Sequence, residues 1–203
     1  MTKIKLCGLM RDCDIEAANG LRPEYVGFVF ASGSRRYVSP EKAEGFRKLL
    51  CSEILAVGVF VNEKLERVEE LLGRGIVDIA QLHGNENEEY IKRLKNRTGK
   101  TVIKAFRVDT EQDIFLAQNS LADYVLLDSG SGGTGTVFDW KLIQNIRRPY
   151  FLAGGLEEGN VREAIERFRP YAVDVSSGIE TEGVKDMRKM KAFVEAVRQQ
   201  VEI

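Results

Sequence analysis

Cys7 closes the apolar run Ile4 to Cys7 and is followed at once by Gly8. A thiol so placed can act as a base when a nearby cation favours the thiolate. Period-two alternation puts Lys5 on the same face as Cys7. A buried lysine is costly unless paired, so a carboxylate partner is implied, with Asp128 and Asp174 as candidates. Asp128 itself ends the run Val125-Leu126-Leu127 and opens a loop reading SGSGGTG. Burial favours the protonated form of a carboxyl, which suits a general acid at a strand terminus.

Other residues fit binding rather than proton transfer. Arg36, in SGSRRYVSP, can grip a carboxylate with two hydrogen bonds, or it can be a solvated loop residue. His83, in AQLHG, either binds a ligand or caps the following helix. It is the single histidine of the chain, so sites needing two or three histidines cannot form within it, the usual catalytic zinc sites included. The glycines in LAGGLEEGN (Gly154, Gly155) and the Ser177-Gly178 pair in VDVSSGIE suit backbone contacts to phosphate. The three cysteines, Cys7, Cys13 and Cys51, make no disulfide framework and no zinc-knuckle spacing. Cys13 and Cys51 fall on helix patterns and are read as structural.

Elements that could position these groups alternate along the whole chain. Strands are expected at Ile4–Cys7, Tyr25–Phe30, Ile54–Val61, Val77–Leu82, Thr101–Phe106, Asp123–Leu127, Tyr150–Ala153 and Tyr171–Val175. Helices are expected at 12–18, 40–50, from the Asn62 cap through Leu72, then 86–96, 111–119, 139–146, 160–168 and 185–201. Ser39 suits an N-cap and Pro40 the first helical position. The strands are nearly continuous apolar runs, as in a parallel sheet buried on both faces. About eight strand-helix units predict a single (β/α)8 barrel over residues 1–203, rather than an open doubly wound sheet. At 203 residues the chain is shorter than the ~250 typical of such barrels.

In a barrel the site lies at the carboxyl ends of the strands. Those ends read Cys7-Gly8, Arg35-Arg36, Asn62, Gln81 to His83, Lys104, Asp128, Gly154-Gly155 and Asp174 to Gly178. The seventh and eighth are where barrels often bind phosphate. A net charge of -1 argues against nucleic acid and against anionic membranes as partners. The start, MTKIKLCGLMRD, lacks the apolar core of a signal peptide, and no run is long enough to span a bilayer. A cytoplasmic protein is expected.

Taken together, KLCGL, SRRYVSP, VGVFVNE, QLHGNE, VIKAF, LLDSGSGGTGTVFDW, LAGGLEEGNV and VDVSSGIE resemble the phosphoribosylanthranilate isomerase family of tryptophan biosynthesis. The resemblance covers essentially the whole chain. It implies a cofactor-free Amadori rearrangement of one small-molecule substrate, by a monomer or homodimer. The family's general base falls on Cys7 and its general acid on Asp128. Arg36 matches the group that holds the anthranilate carboxylate, and Gly155, Ser177 and Gly178 match the phosphate cradle. Gln81, His83, Gly154 and Asp174 complete the expected substrate-binding set.

Two departures from the family pattern are visible: a short loop between LLDS and GGTG, and KLCGLM in the first motif. A related isomerase of histidine biosynthesis, or a dual-substrate barrel, resembles a pair of facing aspartates, and Cys7 at the base position favours the dedicated enzyme. A non-catalytic sugar-phosphate-binding barrel would tolerate loss of both Cys7 and Asp128. A redox role for Cys7 lacks a resolving partner.

Overall fold

Parallel strands bury both faces, so each must present one apolar row to the barrel interior and another to the surrounding helices. In the computed structural model this is the arrangement of the chain; residues 1–128, 143 and 146–199 are described. The strands are β1 (Lys3–Cys7), β2 (Tyr25–Val29), β3 (Leu55–Phe60), β4 (Ile79–Leu82), β5 (Val102–Arg107), β6 (Tyr124–Asp128), β7 (Tyr150–Ala153) and β8 (Ala172–Val175). They close in sequence order into a parallel barrel, with β8 pairing back onto β1. Among the described residues the helices are α1 (Asp12–Leu21), α2 (Pro40–Leu49), α3 (Leu65–Gly73), α4 (Glu88–Thr98), α5 (Glu111–Asn119), α6 (Glu158–Phe168) and α7 (Met187–Arg198).

Alternation sorts the side chains as the pattern requires. Ile4 and Leu6 join the core between barrel and helices, whereas Lys5 and Cys7 are buried on the other face. On β6, Val125 and Leu127 face the helices and Leu126 the interior, which brings Asp128 to the interior side of the mouth. The interior is filled by Val57, Ile79, Ile103, Leu126 and Phe151.

The second helix begins as expected, and several other helix boundaries differ. Ser39 is the N-cap of α2, its Oγ accepting from Lys42 N, with Pro40 next. Asn62 caps no helix. It holds a left-handed backbone (φ 52°), and its Oδ1 accepts from Asn85 N in the next strand-helix loop. Asn87 caps α4, so that helix starts later than Glu86. In α6, Asn160 is the third residue of a capping box with Glu157 rather than the start.

Lys185 does not open the last helix. It lies on β10 (Val184–Lys185), antiparallel to β9 (Glu180–Thr181), across a two-residue turn, Glu182-Gly183. Both turn residues have positive φ, as that hairpin turn demands. Asp186, whose carboxylate accepts from Arg188 N and Lys189 N, is the true cap of α7. Cys13 lies on α1 as expected, whereas Cys51 falls just beyond the end of α2, and both are exposed. The expected helix at 139–146 and the SGSGGTG loop lie outside the described residues, as does the end of the last helix beyond 199.

At the amino-terminal mouth a repeated device secures the strands. Glu24, Asp78 and Asp123, each just before an even-numbered strand, accept from the first or second backbone N–H of the preceding strand: Ile4 N, Ala56 N and Val102 N, all at 2.8 Å. Such charge-assisted bonds contribute more than neutral ones. Asp78→Ala is expected to lower stability by ~1–3 kcal/mol, seen as a lower urea midpoint, while the opposite mouth keeps its geometry. An unchanged midpoint would show that the carboxylate contributes nothing.

Candidate active site

The carboxyl mouth holds a cleft of about 380 Å³. Cys7, Arg36, Gln81, His83, Asp128, Gly154, Gly155, Asp174 and Ser177 all line it. Gly178 does not, but stands directly behind: a Cβ there would collide with the Leu156 carbonyl oxygen. One wall is apolar, formed by Val29, Ala31, Val59 and Val61. Lys104 turns away from the cleft. Its ammonium donates to the carbonyls of Leu82 and Gly84 and lies 3.6 Å from Glu86, steadying the loop that carries His83. Glu86 also accepts from Asn62 N and Gly84 N, so one carboxylate ties two neighbouring loops together.

Beneath the cleft Lys5 pairs with Asp174, Nζ to Oδ2 at 2.9 Å, and Lys5 is wholly buried. This settles the partner left open between Asp128 and Asp174. Burial works against the Lys5 charge, but Asp174 and Cys7 outweigh it and hold the ammonium above its ordinary range. For Cys7 the balance runs the other way from the sequence expectation. Burial pushes the thiol up, and Lys5 and Lys185 only partly pull it back. Two cations are present, but desolvation of the thiolate, together with the nearby Asp174 charge, outweighs them.

The thiol has room because β2 carries a glycine opposite it. Gly27 pairs with Cys7, and a Cβ there would sit 2.6 Å from Sγ. Gly8 (φ +79°) serves likewise for the arginine, since a Cβ would meet Arg36 Cδ at 2.5 Å. Gly27 was visible as a glycine within a strand, a common mark of close approach. Glu180 and Lys185 carry no site role in the sequence reading, and Ser176 stands there only as part of the eighth strand end: their roles depend on the hairpin folding back beside Arg36.

Arg36 is gripped from behind by Glu180, Nε to Oε1 at 2.6 Å and Nη2 to Oε2 at 2.8 Å. Gln81 Nε2 donates to His83 Nδ1 at 3.0 Å. In that tautomer the imidazole turns its Nε2–H toward Asp128 Oδ2, 3.5 Å away. His83 therefore belongs to the cleft and not to a helix cap. Among the described residues Gln81 Oε1 and Asp174 Oδ1 are buried acceptors without a hydrogen-bond partner. Gly154 and Gly155 both have positive φ, 92° and 64°.

A thiol and a carboxyl facing one polar cleft, with arginine at one side and glycine turns after β7 and β8, define a (β/α)8-barrel enzyme suited to proton transfers on an anionic substrate. Residues 4–196 match the family model for N-(5'-phosphoribosyl)anthranilate (PRA) isomerase. A relative of that name from Endomicrobium trichonymphae is 46% identical over 98% of this chain and 99% of its own. One from Thermoanaerobacter sp. (strain X514) is 47% identical, covering 98% of each chain. The solved phosphoribosyl anthranilate isomerase from Thermotoga maritima is 37% identical, with a TM-score of 0.87 over 97% of this chain and 98% of that one. Another solved isomerase of this kind, 36% identical with a TM-score of 0.85, covers 97% of this chain and 98% of that one. It is in complex with reduced 1-(o-carboxyphenylamino)-1-deoxyribulose 5-phosphate. The chain belongs to the phosphoribosylanthranilate isomerase family and is an isomerase of tryptophan biosynthesis. Among the described residues no helix is long and apolar enough to cross a membrane.

Because burial raises the Cys7 thiol, its thiolate fraction must climb with pH through neutrality. Labelling of Cys7 by iodoacetamide, read on its own peptide by mass spectrometry, is expected to rise about tenfold per pH unit and to keep rising past about pH 8.5. A plateau below about pH 7 would contradict the raised thiol.

Proposed function

We propose that this chain, as one catalytic domain over residues 1–203, converts N-(5-phosphoribosyl)anthranilate to 1-(2-carboxyphenylamino)-1-deoxyribulose 5-phosphate, with Cys7 as general base and Asp128 as general acid. The observation that carries the reading is the meeting of both groups on one cleft, from strands β1 and β6, with Arg36 and the glycine turns around them. Every step is a proton transfer or a shift of an existing electron pair, so an acid and a base suffice.

Asp128 in its carboxyl form gives a proton to the furanose ring oxygen. The C1–O bond breaks as the anilino nitrogen supplies the pair for a C1=N bond. The Cys7 thiolate then takes the C2 proton, and the electrons released form C1=C2 while returning the nitrogen to neutrality. The enolamine tautomerises: its hydroxyl proton leaves, C2 becomes the ketone and C1 gains a proton. Atom count is unchanged, as an isomerisation requires.

Binding uses groups that do not react. Arg36 takes the anthranilate carboxylate, and the apolar wall of Val29, Ala31, Val59 and Val61 accepts the ring. Gly154, Gly155 and Ser177 form the phosphate cradle, with Gly178 behind them allowing the close approach to Leu156, and the cradle orients C1 and C2 between acid and base. Gln81 and Asp174, which line the cleft, are the groups for the sugar hydroxyls, and His83 positions Asp128.

Positioned acids and bases contribute ~10²–10⁴-fold each. Cys7→Ala and Asp128→Ala are each expected to lower kcat by about that factor with the fold intact, followed through the loss of anthranilate-type fluorescence from freshly made substrate. Turnover by the double variant equal to that of the unaltered chain would overturn the assignment.

A further inference from the structure

Arg36 lines the cleft, but the carboxylate that orients it does not. Glu180 lies on β9, its side chain 3% exposed. Three cations converge on it: Arg36 through two bonds, Lys185 Nζ at 2.7 Å and Arg35 Nη2 at 3.0 Å. Burial alone would push Glu180 up, yet the hydrogen bonds from Arg36 and Lys185 hold it below the ordinary carboxylate range. It is therefore an anion at neutral pH. Its backbone carbonyl accepts from Lys189 Nζ at 2.7 Å, which pins the hairpin to α7. Lys185 spends its other bonds on Ser176, the carbonyl at 2.9 Å and Oγ at 3.3 Å, and Ser176 lines the cleft.

The geometry of the guanidinium makes this consequential. Arginine offers five N–H donors in a rigid plane. Glu180 occupies the Nε–Nη2 edge of Arg36, and among the described residues Nη1 has no acceptor. The outer Nη1–Nη2 edge is left to a ligand. A carboxylate bound there would meet a fork whose plane is already fixed, losing little rotamer freedom on binding. One carboxylate against three cations also leaves this wall net positive, which favours an anionic substrate.

We propose that Glu180 is a positioning residue for recognition of the substrate carboxylate: it locks the plane of Arg36 and, through Lys185, the Ser176 corner of the same wall. The proposal rests on the reading above that Arg36 receives that carboxylate. It assigns Glu180 no contact with substrate. Loss of the lock weakens carboxylate binding while Cys7 and Asp128 keep their places, so the effect falls on KM far more than on kcat.

The test compares two probes on the full chain by equilibrium binding. One is reduced 1-(o-carboxyphenylamino)-1-deoxyribulose 5-phosphate, and the other is the same compound without the ring carboxylate. The unaltered chain is expected to prefer the carboxylated probe. In Glu180→Gln the preference is expected to shrink about tenfold, through weaker binding of the carboxylated probe alone, with KM rising and kcat nearly constant. Glu180→Asp keeps the charge with the fork one methylene short, and it should retain an intermediate preference. It also serves if the glutamine variant does not fold. A preference equal to that of the unaltered chain in whichever variants fold overturns the role of Glu180. No preference in the unaltered chain overturns instead the reading of Arg36, and the proposal with it.

Discussion

The Lys5–Asp174 ion pair is the constraint on which the rest of the molecule turns. The two residues stand opposite each other in the register of β1 and β8, the seam where the last strand meets the first. Lys5 has no exposure to solvent. Losing one member of such a pair costs about 3–5 kcal/mol, a large part of the ~5–15 kcal/mol by which a domain is stable. The seam therefore carries a penalty for any register but this one. The same ammonium sits beside the thiol of Cys7, two residues on. Closure of the barrel and the electrostatics of the thiol share a single charge.

The two mouths divide the remaining work. At the amino-terminal end, Glu24, Asp78 and Asp123 hold strand N–H groups and bear on stability alone. At the carboxyl end the carboxylates act on loops: Glu86 joins the turns after β3 and β4, and Glu180 gathers Arg35, Arg36 and Lys185. Loops held by buried charges can present His83 and Arg36 in fixed poses although neither lies within a strand. That arrangement suits a reaction that must place an acid and a base about one sugar ring.

How far the sequence could be read depends on the range of the interaction. Strands β1 to β8 were legible because two-sided burial writes continuous apolar runs, and Ser39-Pro40 because a cap acts within three residues. Cys7, Arg36, Asp128 and the two glycine-bearing strand ends were legible as positions, since each follows an apolar run. Asn62 was misread because its partners, Asn85 and Glu86, lie in another loop. Lys185 reads as helical from its local pattern alone, and Glu180 gains its meaning only when the hairpin across Glu182-Gly183 folds toward Arg36. The direction of the Cys7 shift was also beyond reach: the cation was countable, but the depth of burial that opposes it is a property of the closed barrel.

The most direct test of the shared charge is a cycle of Lys5→Met, Asp174→Leu and the double variant, reading urea stability and the iodoacetamide rate at Cys7 in each. Each single variant should be destabilised by about 3–5 kcal/mol, and the double should recover most of that loss. Thiol reactivity at fixed pH should fall in Lys5→Met and stay low in the double variant, because the cation beside Cys7 remains absent while the unpaired charge is gone. Unchanged reactivity in Lys5→Met, or stability losses that simply add, would contradict the account.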